Sequence, residues 1–204
     1  RGNILCKEKT DKNKIICNYH GRTFALDGNM SYAPGFKGTE DFPSKHDNLH
    51  EIELLDWSGL LFINTGDNKK MLSALNQMKE MTKGYPFKDL SFDKDSSETY
   101  EIAAHWALYC ENYLEGLHIP YVHKGLSSDI DNHAYQTTIL EHAVLQIAKA
   151  KDINDSISEK GKINDIPLNE IYALYFWLFP NTMINFYKWG ISINIIEPLE
   201  KEKT

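Results

Sequence analysis

The stretch that most constrains the fold is "IYALYFWLFPNTMINFYKWGISINIIEPLE", residues 171–200. It is rich in β-branched and aromatic residues. Turn signals break it at Pro180-Asn181 and again at Lys188 to Gly190. This pattern predicts two or three long antiparallel strands joined by tight turns. "LYFWLF", Leu174 to Phe179, is apolar without alternation and too short to cross a bilayer, so it reads as a strand buried on both faces. A chain with such a segment must supply something to cover each side of it.

The rest of the chain supplies candidates. Residues up to about Asp67 read as short strands and turns, with "KIICNY" and "GLLFIN" as apolar runs and Asp27-Gly28, Gly35, Gly38, Gly59 and Gly66 as punctuation. "DNKKMLSALNQMKEMTKG" follows, with Met71, Leu72, Leu75, Met78 and Met81 at helical spacing and Gly84 as a stop. Its methionine stripe reads as core. "YPFKDLSFDKDSSETYEI" reads as a linker or edge strand, and the domain boundary falls between Gly66 and Asp89. "AAHWALYCENYLEGLHIPYVH" predicts one helix up to Pro120. "TTILEHAVLQIAKAK" alternates as a strand would, although its composition also suits a helix, and "NDSISEKGKIND" reads as a polar loop. The expected class is α+β. A small all-β domain occupies residues 1–66, a linker with an amphipathic helix 67–96, and an antiparallel sheet with helices 97–204.

Composition excludes several classes. With 42% hydrophobic and 25% charged residues, the chain supports a packed core. A net charge of −7, with the densest basic run (Lys7 to Lys14) interrupted by acids, argues against nucleic-acid binding. No apolar run approaches the ~20 residues of a membrane-spanning helix. The three cysteines, Cys6, Cys17 and Cys110, do not make a disulfide framework. A bridge between Cys6 and Cys17 is the minor alternative, and a cytoplasmic location is expected.

Two motifs carry chemistry. In "ENYLEGLHIPYVH", Glu111, Glu115 and His118 are spaced to share one helical face. On a continuous helix, His123 would stand roughly 140° around from His118. Pro120 lies between them, and a helix bent or ended there lets both imidazoles reach one ion. Iron, zinc and manganese all suit such a site, which still needs a third ligand. The bland alternative is a surface helix with solvated carboxylates and two ordinary histidines. The aromatic and leucine side chains around the helix argue for burial, where acids and histidines need partners. The other motif is Cys17-Asn18-Tyr19-His20-Gly21. A lone Cys-x-x-His reads as packing, as half a zinc site, or as half an iron–sulfur site with mixed ligation. His46, His50 and the other cysteines offer no second pair.

Together the two motifs resemble the catalytic (alpha) subunits of Rieske non-haem iron oxygenases, the aromatic-ring-hydroxylating oxygenases. That family pairs a Cys-x-His, followed by Arg-Gly, with a later Cys-x-x-His-Gly about sixteen residues on. This chain opens with Arg1-Gly2, so the resemblance puts the first ligand pair just ahead of Arg1. "CNYHGRTFALDG" looks like the second cluster loop, with Arg22 where the family more often has Trp. "ENYLEGLHIPYVH" looks like the mononuclear-iron segment. The match implies His118 and His123 as iron ligands, Glu115 as the carboxylate bridging the two metal centres across a subunit interface, and Asn112 as a supporting residue. Glu rather than Asp at 115, and "FPNTMINFYKWGISINIIEPL", are similar to the choline and carnitine oxygenase branch. The third iron ligand in this family is an Asp on a later helix. Asp152, Asp155 and Asp165 do not stand in a matching context, so the chain reads as an internal fragment.

The resemblance implies a Rieske domain followed by the first half of a helix-grip-like catalytic domain. Its cofactors would be a 2Fe–2S cluster, held here by Cys17 and His20, and a mononuclear Fe(II). Its activity would be O2-dependent hydroxylation of an aromatic ring or a quaternary-ammonium-like small molecule, as mono- or dioxygenation. Its partners would be a reductase or ferredoxin donor and two further copies in a homotrimer. The rivals are a Rieske ferredoxin-like electron carrier and a zinc-binding structural domain.

Overall fold

The computed structural model describes residues 2–158, 160–163 and 165–204. The chain forms two compact units, divided between Leu54 and Leu55. That division lies ahead of the 66–89 stretch expected from sequence. The hairpin of β4 (Leu54–Trp57) and β5 (Leu60–Ile63) explains the difference. Leu55, Trp57, Leu60 and Phe62 pack into the core of the second unit, and the Trp57 indole N–H donates to the Leu75 carbonyl at 3.0 Å.

The first unit carries a three-stranded antiparallel sheet of β1 (Lys14–Ile16), β2 (Thr23–Ala25) and β3 (Met30–Tyr32), in that order. Its core is small: Phe24, Met30 and Ala33 are buried, with Ile15, Cys17, Phe42 and Leu49 against them. Much of its order is local. Ser44 and Asp47 form a capping box, and the Asn48 side chain accepts from the Met30 amide at 2.8 Å.

In the second unit, α1 (Asn68–Met81) begins at Asp67, whose carboxylate accepts from the Lys69 amide at 3.0 Å. Ala74, Leu75 and Met78 are buried and Met71 and Met81 half-buried, as the helical spacing predicts, whereas Leu72 faces outward. The main sheet has five antiparallel strands in the order β12-β11-β10-β7-β6. These are β6 (Gln136–Leu140), β7 (Ala143–Lys149), β10 (Ile171–Leu178), β11 (Thr182–Tyr187) and β12 (Gly190–Ile195). Of the two or three strands expected in 171–200, three are present, joined at the two expected turns.

Strand β10 is central. Its Leu174, Phe176 and Leu178 point into the large core with α1, while Ala173 and Tyr175 pack on the opposite face with Ile119 and Ile130. A strand covered on both faces has no need of alternation, which is why its sequence shows none. The segment 137–151 is two strands rather than one. Glu141 and His142 make the turn between β6 and β7, with His142 at φ 61° standing where a glycine signal was absent. A short pair, β8 (Lys162–Ile163) with β9 (Ile166–Pro167), ties down part of the segment read as a polar loop. The linker 91–100 forms no regular strand.

The helix expected to run to Pro120 ends earlier. α2 spans Trp106–Tyr113, α3 Ile119–Val122 and α4 Lys124–Asp129. Leu114 closes α2, and the chain turns through Glu115 and Gly116. Pro120 occupies the first turn of α3, where a missing N–H costs nothing, so it starts a helix instead of stopping one. Glu111, Glu115 and His118 therefore do not share a helical face. The expectation of a buried helix also holds only in part: Cys110 is buried, but Leu108 and Leu117 are exposed. No helix among the described residues is long and apolar enough to cross a membrane.

Candidate metal centres

Cys17 lies at the end of β1 in a tight loop. Its amide donates to the Arg22 carbonyl at 2.8 Å, and its carbonyl accepts from the Gly21 amide at 2.9 Å. Gly21 has φ +70°, and a Cβ there would stand 2.9 Å from Pro34 Cγ, so the glycine of Cys-x-x-His-Gly is required by both backbone and space. The Tyr19 amide, aimed at the sulfur, holds the Cys17 thiol below its ordinary range. Partial burial opposes it, and the His20 amide and Asn3 side chain reinforce it. Asn3 Nδ2 lies 3.6 Å from Sγ. These donors favour the thiolate, the form that binds metals. His20 is exposed beside it, its ring against Tyr19. Both line a cavity of about 730 Å³ together with Asn3, Arg22, Phe24 and Pro34. Arg1 lies outside the described residues, so the Arg-Gly register is a matter of sequence alone.

The second candidate is built on the turn after α2. The Glu115 carboxylate accepts from the amides of Leu117 and His118, the latter at 3.3 Å, and pairs with His118 Nδ1. Burial works to raise the Glu115 pKa, but the His118 ring and the Leu117 amide outweigh it, so the carboxyl sits below its usual range. With Nδ1 fixed, Nε2 is the His118 nitrogen left for another partner. His118 and His123 bracket α3 as its N-cap and C-cap. Their rings come together at 5.0 Å between centroids and 73° between planes. The interruption of the helix at each end of α3 achieves what a continuous helix would prevent. Asn112 stands exposed on α2, with no hydrogen bond to Glu115, His118 or His123 among the described residues.

Sequence reasoning missed a buried polar group beneath this turn. Gln146 is 1% exposed in the middle of β7. Its Nε2 donates to the Tyr113 carbonyl at 2.6 Å, and its Oε1 accepts from the Tyr135 hydroxyl at 3.1 Å. The one available signal was a lone amide inside the apolar run "AVLQIAK".

Among the described residues, no three His, Cys, Asp or Glu side chains group closely enough to hold an ion. Each centre presents two donors. Their chemistry fits what each would need: an amide-supported thiolate with an imidazole, and two adjacent imidazoles, one of them oriented by a carboxylate.

The model of the "Ring hydroxylating alpha subunit (catalytic domain)" family matches residues 89–204. The chain belongs to this family. Choline monooxygenase of Arabidopsis thaliana is 28% identical over 98% of this chain and 48% of its own length. The carnitine monooxygenase oxygenase subunit of Escherichia coli K12 is 28% identical over 89% of this chain and 47% of its own. A quaternary ammonium Rieske monooxygenase, solved in complex with an inhibitor, shares the fold at TM-score 0.72 and 23% identity, covering 100% of this chain and 54% of that one. Naphthalene 1,2-dioxygenase from Rhodococcus sp. shares it at TM-score 0.61 and 15% identity, over 97% and 54%. The chain thus spans about half the length of the relatives it matches. Rieske oxygenases use a 2Fe–2S cluster and a mononuclear iron, and the family resemblance and the mixed helix and antiparallel-sheet architecture expected from the sequence both hold.

Proposed function

We propose that this chain is the part of a Rieske oxygenase catalytic subunit that carries half of the cluster site and the two histidine ligands of the mononuclear iron. The observation that carries the reading is the adjacency of the His118 and His123 rings at 5.0 Å, with the Glu115 carboxylate on His118 Nδ1. Cys17 and His20 supply one ligand to each iron of the cluster. A complete pair of centres would need two further cluster ligands and a third, carboxylate ligand for the iron. With both groups bound, the cluster would supply electrons and an iron held by His118, His123 and a carboxylate would supply O2 activation.

The chain's own residues do the rest. Glu115 orients the His118 ring and holds the proton at Nδ1, which keeps Nε2 free. It is also the carboxylate that links the two centres across neighbouring subunits of a homotrimer. Asn112 supports the same turn. The Rieske portion up to Leu54 and the catalytic portion that follows work as successive domains of one cytoplasmic subunit, fed by a separate reductase or ferredoxin. The substrate is a small organic molecule. Likeness to choline and carnitine monooxygenases favours monooxygenation of a quaternary-ammonium-like compound over dihydroxylation of an aromatic ring.

The test uses the full-length protein. His118→Ala should keep the cluster's absorption and EPR signals while abolishing O2-dependent hydroxylation. Glu115→Gln should keep both metals and lower turnover about 10- to 100-fold. An electron carrier would lose nothing on His118→Ala, and a zinc protein would show neither signal. Either result sinks the proposal.

A further inference from the structure

We infer that Gln146 and Tyr135 are positioning residues for the His118/His123 site, acting through the turn that carries Glu115. The inference rests on the reading of that site as a metal centre.

A buried carboxamide is costly unless both of its ends are bonded. Gln146 meets this condition by spending both ends on one task. The Tyr113 carbonyl is one of those left without an intrahelical partner where α2 ends, and Gln146 Nε2 caps it at 2.6 Å. The Tyr135 hydroxyl donates to Gln146 Oε1 at 3.1 Å, which fixes the amide's orientation. The Tyr135 ring lies directly under Gly116. A Cβ at 116 would stand 2.7 Å from Tyr135 Cε1, so the backbone rests on the ring and only glycine fits. One contact therefore holds the chain two residues before Glu115, and the other holds it one residue after. Glu115 in turn anchors the Leu117 and His118 amides and the His118 ring.

The same turn is tied once more. The Tyr113 hydroxyl donates to Asn185 Oδ1 at 2.6 Å, and Asn185 Nδ2 to Ser192 Oγ at 3.0 Å. Gln146, Tyr175, Asn185 and Ser192 are successive cross-strand partners over β7, β10, β11 and β12. A polar row thus crosses the sheet beneath the end of α2. Packing alone does not ask for it, since Ala148 and Ala173, the next cross-strand pair on the same face, are fully buried with no polar side chain. Its bonds converge on the helix end that leads to the two histidines.

The experiment measures Co(II) binding to the full-length protein with its cluster in place and the mononuclear site stripped by chelation. The readouts are the dissociation constant and the cobalt d–d absorption bands. Gln146→Leu should weaken binding about tenfold and alter the bands, as loss of outer supports of a metal ligand does. Tyr135→Phe keeps the ring under Gly116 and should weaken binding less, in the same direction. Leu174→Ala, on the opposite face of the sheet, should destabilise the fold and leave the affinity unchanged. Unchanged affinity in folded Gln146→Leu and Tyr135→Phe overturns the inference. So does an equal loss in Leu174→Ala, because affinity would then merely follow stability. If Gln146→Leu does not fold, Tyr135→Phe decides. His118→Ala separates the two levels. If it binds Co(II) as the unaltered protein does, the metal-centre reading fails and takes the inference with it. If it abolishes binding while the two variants bind normally, only the positioning role falls.

Discussion

The two units hold their candidate ligand residues by different means. In the first, Cys17 and His20 sit on a loop whose shape is set by its own backbone, above a core of only Phe24, Met30 and Ala33. In the second, Glu115, His118 and His123 sit on a turn whose shape is imposed by a sheet buried on both faces. A small β unit buries too little apolar surface to enforce a geometry, so local hydrogen bonds and a glycine do it. A large core can hold a strained or interrupted helix end in place, because the cost is spread over many contacts.

This contrast predicts where each unit breaks. The largest effect belongs to the second core. Phe176 is fully buried against Phe186, and Phe176→Ala should cost about 3–5 kcal/mol in chemical denaturation. A loss below about 1 kcal/mol would mean that this core is not the frame of the second site.

The second unit should also be the alkali-sensitive one. Tyr85 donates to the Tyr187 carbonyl at 2.7 Å, and burial pushes its pKa from 10.0 up to about 12. Burial pushes Tyr113, Tyr135, Tyr175 and Tyr187 the same way. The folded state thus binds these protons more tightly than the unfolded state. The resulting stability is fully present below pH 10.0 and is lost as the pH rises through about 12. Phenolate absorbance of these tyrosines should appear together with loss of circular dichroism. If all the tyrosines ionise near pH 10 with the dichroism intact, the prediction fails.

Gly21→Ala should destabilise the first unit by about 1–2 kcal/mol, because it forces a side chain into a positive φ against Pro34. In the full-length protein it should cost cluster content while leaving mononuclear metal binding at His118 and His123 unchanged. Equal loss at both centres would erase the distinction between the two units.

The smallest effect is acidic. The Ser44 amide above all holds the Asp47 carboxyl below its ordinary 3.8; desolvation opposes it, and the Ser44 hydroxyl and Arg22 reinforce it. Its contribution is present above that value and lost as the pH falls through the lower folded one. Asp47→Ala should flatten the acid limb of the first unit's unfolding curve. An unchanged limb would remove Asp47 from the account.

What was legible followed local rules. Turn residues marked the strands of 171–200, and apolar spacing marked α1. The misreadings came where a distant partner outweighed a local preference. "ENYLEGLH" has good helix formers, yet the helix stops at Tyr113 because Gln146, 33 residues on, takes its carbonyl and Glu115 bonds the amides beyond. Glu141-His142 carries no strong turn signal, yet it turns because the β6 and β7 residues on either side of it pair across the sheet.

The sequence by itself determined the donor types, the cysteine–histidine–glycine loop and the family, since these rest on residue identity and short spacing. Tertiary structure alone decided that the rings of His118 and His123 come together, that Pro120 opens a helix, and that a glutamine in a hydrophobic strand lies under the turn that leads to them. Short-range pattern carries the backbone's own preferences, but a buried polar group is explained only by the partner that the fold brings to it.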